Sequence, residues 1–235
     1  MRCKIADLIA EIPEAGGMAP RCRDYLYESN KNPDSVIRAE AYGNRPHPAS
    51  FSEENIAYME SCRQFYRCLL DFEGFYLHSS AVMAEGNVFL FSGFSGVGKS
   101  THVRLWQQLP ELETTVINDD KPALRRIDGT WIAYGTPWCG KDGINANASG
   151  SLAGICFLMQ AKQNKIRRLS AEEAMPLVLA QTIWKLSDAR KLDKLLHLLE
   201  QLLEEIPIYE LENLPEPAAA ALSYETMRQG AKEAT

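Results

Sequence analysis

Eight residues constrain this chain more than any others: Gly93-Phe94-Ser95-Gly96-Val97-Gly98-Lys99-Ser100. They meet the pattern of a glycine, four free positions, then Gly-Lys-Ser. The apolar run Val88-Phe89-Leu90-Phe91 stands directly before them, and a helix is expected from Thr101 to Leu109, ended by Pro110. That strand-before, helix-after setting separates such a loop from a chance glycine turn. Glycines are needed because backbone N–H groups must curl around phosphate oxygens with no Cβ in the way. Lys99 brings positive charge to the outer phosphates, and Ser100 Oγ suits Mg²⁺. The helix that starts there aims its N-terminal dipole at the same anion. The expected nucleotide-binding set is Gly93, Ser95, Gly96, Val97, Gly98, Lys99, Ser100 and Thr101. ATP and Mg²⁺ are the expected cofactors.

A second chemical signal lies downstream. Residues 114–118 read as a short β-branched strand that ends in Asp119-Asp120. Ligand groups gather at the C-terminal ends of strands in open α/β sheets. Two adjacent carboxylates suit two tasks, one toward Mg²⁺ or its waters and one toward the proton of an incoming hydroxyl. Ser100 with Asp119 is the expected metal set, but the choice of base within the pair is open. If both acids face one site, one carboxyl pKa is expected to rise.

The remaining elements follow from local patterns. Residues 4–12 and 35–42 read as strands around a turn at 13–17, and residues 43–48, with two prolines, as a loop. Ser52-Glu53-Glu54 signals a helix start, and that helix is expected to run to Asp71. Residues 75–83 and 88–92 read as strands about a turn at 85–87. Residues 123–127 and 130–134 form a hairpin across Asp128-Gly129. Strands are expected at 152–158, 165–169 and 208–211, and helices at 171–185, 188–205 and 215–229. Ser170-Ala171-Glu172-Glu173 resembles a capping box. Leu192, Leu195, Leu199, Leu202 and Ile206 share a face that reads as core. The expected units are 1–48, a small N-terminal module; 49–170, the nucleotide-binding core; and 171–235, a helical C-terminal segment.

The ordered set of His78 in Leu77-His78-Ser79-Ser80, the glycine loop and Asp119-Asp120 resembles HPr kinase/phosphorylase. It is also similar to ATP-dependent phosphoenolpyruvate carboxykinase, a structural relative. The resemblance covers residues 75–169. It implies an α/β fold with a P-loop core of mixed β-sheet packed with helices. It also implies catalytic roles for His78, Lys99, Asp119 and Asp120, with His78 near the reacting phosphate and tuning the aspartates. The N-terminal domain of the HPr enzyme has no counterpart here. Gly135-Thr136-Pro137-Trp138-Cys139-Gly140-Lys141 stands where that family carries Arg-Gly-Leu-Gly. The chain therefore looks more like the short HPr-kinase-related proteins, which implies an ATP-dependent kinase acting on a hydroxyl of a small molecule or a peptide serine. The alternative is an ATP-binding accessory protein without transfer, or one that only hydrolyses ATP. A GTPase is disfavoured, because Asn164-Lys165 is followed by Ile166-Arg167 rather than completing a guanine motif.

Residues 135–150 are long for a connection, and such loops are often functional. Trp138 either walls a pocket or anchors the loop in the core. Lys141 and Lys121 are candidate cations for a phosphate or carboxylate, and Asn145 and Asn147 are candidate partners for a polar substrate. A net charge of -6 disfavours sequence-blind nucleic-acid binding. The six cysteines show no metal-binding spacing, and no run reaches membrane-spanning length, so a cytoplasmic protein with reduced thiols is expected. Both a monomer and a homo-oligomer are compatible with these features.

Overall fold

The computed structural model describes residues 1–14, 17–43, 46–140, 142–182 and 186–233. The chain opens with β1 (Arg2–Ile5) and β2 (Leu8–Glu11), an antiparallel hairpin. Residues 4–12, expected as one strand, thus form parts of two. Ala6 and Asp7 both adopt positive φ, 50° and 61°, which reverses the chain in two residues. A short helix, α1 (Met18–Cys22), follows and was not anticipated. The expected strand at 35–42 shrinks to β3 (Ser35–Val36), parallel to β2. Gln64 explains the stop: its Oε1 accepts from Arg38 N at 2.9 Å and its Nε2 donates to Arg38 O at 3.1 Å. A side chain has taken the backbone groups that a longer strand would pair. Residues 44 and 45 of the expected 43–48 loop, and residues 15 and 16 of the expected 13–17 turn, lie outside the described residues.

Helix α2 (Glu53–Leu69) starts as expected, with Ser52 Oγ accepting from Asn55 N at 3.2 Å. Strands β4 (Gly74–Tyr76), β5 (Ser79–Ala84) and β6 (Asn87–Ser92) come next. The expected strand at 75–83 is broken at Leu77-His78. His78 N donates to Gln181 O at 2.7 Å, a partner outside the sheet, so the ladder cannot continue through it. His78 is therefore a residue of the break, not of a strand hairpin.

After the glycine loop come α3 (Lys99–Trp106), β7 (Thr114–Asp120), β8 (Ala123–Ile127), β9 (Thr130–Tyr134) and β10 (Ser149–Gln160). Then follow β11 (Lys165–Arg168), α4 (Ala171–Ala180), α5 (Ala189–Glu205), β12 (Ile208–Asn213) and α6 (Pro217–Glu233). The 123–134 hairpin forms with the expected bounds. The capping box at Ser170 forms too, with Glu173 Oε2 accepting from Ser170 N at 2.9 Å. Residues 183–185, the end of the first expected C-terminal helix, lie outside the described residues.

The main sheet is mixed, with nine strands. Its continuous path runs β4-β8-β9-β10-β6-β5-β7, and β12 joins β10, with β11 beyond it. Strand β10 is long enough to fork. Ser149–Ser151 pair antiparallel with β9, while Ile155–Gln160 pair parallel with β12. The alternation of β6 then decides the two faces. Val88 and Leu90 pack with Leu195, Leu198, Leu199 and Leu202 of α5. Phe89 and Phe91 pack with Val103 and Trp106 of α3 and Met227 of α6. The small N-terminal sheet and α1 pack Ile5, Leu8 and Met18 with Phe65, Tyr66 and Leu69 of α2 and with Trp138. Among the described residues no helix is long and apolar enough to cross a membrane. All six cysteines are free.

Candidate functional site

The glycine loop joins β6 to α3 and rims a cleft of about 460 Å³. Ser95, Gly96, Gly98, Lys99, Ser100 and Thr101 line it from the loop side. Gly98 caps α3 with φ 107°, a left-handed conformation that a side chain would strain. Gly93 and Val97 support the loop from beneath: a Cβ on Gly93 would lie 3.1 Å from Val97 Cγ1. Lys99 Nζ donates to Gly93 O at 3.1 Å and to Phe94 O at 3.4 Å, so the ammonium curls back over the loop. Burial lowers its pKa, against the pull of Asp120 and Asp119. An opposing anion in the cleft would hold the charged form.

His78, Asp119, Asp120, Gly140 and Asp142 line the opposite wall. The aspartates are the last residues of β7 itself, paired with Ser80 and Ser79 of β5. Their partners divide cleanly. Asp119 Oδ1 accepts from Ser100 Oγ at 3.2 Å and from Ser80 Oγ. Asp120 Oδ1 lies 3.0 Å from His78 Nε2, while Oδ2 accepts from Lys121 Nζ and from Tyr58 OH at 3.3 Å. Lys121 Nζ also reaches Tyr58 OH at 3.2 Å. His78 Nδ1 lies 3.0 Å from Gln181 Oε1, which fixes the ring from behind.

The expected rise of a carboxyl pKa is reversed at Asp120. Burial does push it up, but His78 and Lys121 outweigh burial and pull it down to about 2. The second acid is turned toward Ser100, so what opposes burial at Asp120 is the pair His78 and Lys121, with no counterweight from its neighbour.

The loop after β9 runs back along β7 and covers that edge strand. Asp119 N donates to Ile144 O at 3.1 Å, Gly140 N to Asp119 O at 2.8 Å and Ala146 N to Ile117 O at 3.0 Å. Gly140 must be glycine for this approach, since a Cβ there would sit 2.7 Å from Asp119 O. Trp138 does not wall the cleft. It is fully buried, stacked on Phe65 at 4.8 Å, and donates Nε1–H to Ser61 Oγ at 3.0 Å. Asn145 and Asn147 tie the loop to Tyr25 OH at 3.1 Å and Asp24 O at 2.8 Å instead of facing the cleft. Lys141 lies outside the described residues.

Sequence reasoning missed Tyr58, Gln181 and Ser80. Ser80 had a usable signal, since it lies two residues from His78, but Tyr58 and Gln181 arrive from distant helices with no local motif. No group of three or more His, Cys, Asp or Glu that could hold a metal occurs among the described residues. Ser100 Oγ and Asp119 Oδ1 form a sparse oxygen pair. That fits Mg²⁺, which keeps waters and substrate phosphates among its ligands and does not need an all-protein cage.

Fold and site together define a mixed α/β protein with a glycine loop facing an aspartate pair across an open cleft. Among solved structures it is similar to the HPr(Ser) kinase/phosphatase from Coxiella burnetii, with 11% identity and a TM-score of 0.38, over 67% of this chain and 90% of that one. A likeness at that level is distant and carries no functional argument. No protein-family model matches the chain, and no curated protein matches it.

Proposed function

We propose that this protein is an Mg²⁺-dependent kinase that moves the γ-phosphate of ATP to a hydroxyl of a small molecule or a peptide serine. The observation that carries this reading is the split of the aspartate pair. Asp119 turns to Ser100 at the loop, and Asp120 turns to His78, both in one cleft with Lys99.

The residues take the following roles. The loop amides and Lys99 hold the phosphates and stabilise charge that develops on the moving group. Ser100 and Asp119 would hold Mg²⁺, which would supply neutralising charge for the phosphates. Asp120 accepts the hydroxyl proton as the hydroxyl oxygen bonds the γ-phosphorus. The bond from that phosphorus to the bridging oxygen breaks, and ADP leaves. A carboxylate with a pKa near 2 is a weak base at rest. It suffices where the transition state is loose and the hydroxyl becomes acidic only as it bonds phosphorus, because positioning then dominates. His78 holds the orientation of Asp120.

The low basicity of Asp120 also favours a second reading, an ATP-binding protein without transfer. Labelled ATP separates the two. With Mg²⁺ and a panel of hydroxyl compounds, the wild-type chain should retain ATP and label an acceptor. Lys99→Ala should retain at least about tenfold less, as expected for loss of a charged hydrogen bond. Asp120→Asn should retain ATP but not transfer. Equal retention by Lys99→Ala would sink the nucleotide reading, and retention of intact ATP with every acceptor would select the accessory protein.

A further inference from the structure

A second cleft, of about 600 Å³, opens on the far side of Asp120, between α1, α2 and the loop after β9. Arg21, Phe51, Glu54 and Tyr58 line it together with Asp120 and Gly140. The last two residues also line the glycine-loop cleft, so Asp120 and Gly140 stand between the two spaces. We infer that this second cleft is the acceptor site, and that it takes a small hydroxy acid, with the hydroxyl at Asp120 and the carboxylate at Arg21. The inference rests on the kinase reading above.

Three observations point to an acid. Arg21 is half-buried and has no carboxylate partner among the described residues. Its Nη1 makes only long contacts, 3.4 Å to Cys139 O and 3.6 Å to Cys139 Sγ. A guanidinium carries five donors in a rigid fork, so most of them stay open to a planar carboxylate. The competing charges are committed or screened. Lys121 is bound to Asp120, and Glu54, which also lines the cleft, is exposed, so solvent screens it.

Two further observations limit size. The Arg21 guanidinium stacks 4.9 Å from the centre of the Tyr58 ring, and the hydroxyl of that ring lies 3.3 Å from Asp120 Oδ2. One tyrosine side chain therefore spans the distance from cation to base, and a compact acceptor bridges them. The cleft volume lies within the ordinary range for small ligands, about 300–1,000 Å³. Among the described residues Asp120 Oδ1 is held by His78 alone, which leaves a lone pair open to a hydroxyl proton.

The test is titration calorimetry of the full chain with glycerate and with glycerol, beside ATP retention on the same samples. Glycerate should bind at least about tenfold more tightly than glycerol, the worth of one charge-assisted hydrogen bond. Arg21→Gln should remove that preference and leave ATP retention unchanged, and Arg21→Lys should restore part of it. Equal binding of the two compounds, or a preference that survives Arg21→Gln, overturns the inference while the kinase reading stands on ATP retention. Arg21-dependent glycerate binding without ATP retention overturns the kinase reading and keeps the anion site.

Discussion

His78 Nε2 stands 3.0 Å from Asp120 Oδ1, and the main-chain N–H of His78 donates to Gln181 O rather than to a neighbouring strand. The histidine is thus aimed by a distant helix end, and it in turn aims the carboxylate. His78→Ala is expected to cut proposed phosphoryl transfer by roughly 100-fold, the scale of a misplaced reacting group. It should also move the acid limb of the pH profile upward. Asp120 is ionised above about pH 2 because His78 and Lys121 overcome burial. With His78 gone, burial gains ground and the carboxyl protonates at higher pH. Rates of wild type and variant followed from pH 6 down to pH 2 check this, and an unmoved limb would refute it.

Asp119 faces Ser100 and not His78. Asp119→Asn should therefore raise the Mg²⁺ concentration for half-maximal transfer by roughly tenfold or more, the worth of one charged ligand. ATP retention at saturating Mg²⁺ should change little. Titrating Mg²⁺ against transfer rate distinguishes this from Asp120→Asn, which should lose rate at every Mg²⁺ concentration.

Trp138 belongs to the core. Its ring packs with Phe65 and Tyr66, and its N–H is bonded to Ser61. Trp138→Ala should cost ~3–5 kcal/mol of stability. The melting temperature should fall, while the folded fraction keeps its affinity for ATP. Lost affinity with unchanged melting would reinstate Trp138 as a pocket wall.

His102 sits just inside α3, fully enclosed, with Nε2 2.9 Å from Ser223 Oγ of α6. Ser223 also accepts from Trp106 Nε1 at 2.9 Å and donates to Ala220 O at 2.9 Å. Burial lowers the His102 pKa to about 4. The unfolded chain, with a value near 6.5, binds the proton first as pH falls. Stability from the neutral ring is thus complete above about pH 6.5 and lost toward pH 4, by ~3 kcal/mol. Urea unfolding at pH 7, 5.5 and 4 should show that decline, and His102→Gln should flatten it. The loss from Asp120 falls lower, between its ordinary carboxyl value of 3.8 and about 2, so the two windows separate.

The chain's own order carries much of this protein. The loop 93–100, the strand before it and the helix after it are local patterns, and local patterns survive without knowledge of the rest. The 123–134 hairpin and the Ser52 and Ser170 caps are of the same kind, because each is decided within a few residues. Asp119 and Asp120 were also visible as a pair. What only the tertiary structure decided is their division of partners, since Ser100, His78 and Tyr58 reach them from three different segments. The break at His78, the stop at Val36 and the burial of Trp138 are decided in the same way. In each, a partner more than 20 residues away takes the hydrogen bond or the apolar surface that local propensity would have used otherwise.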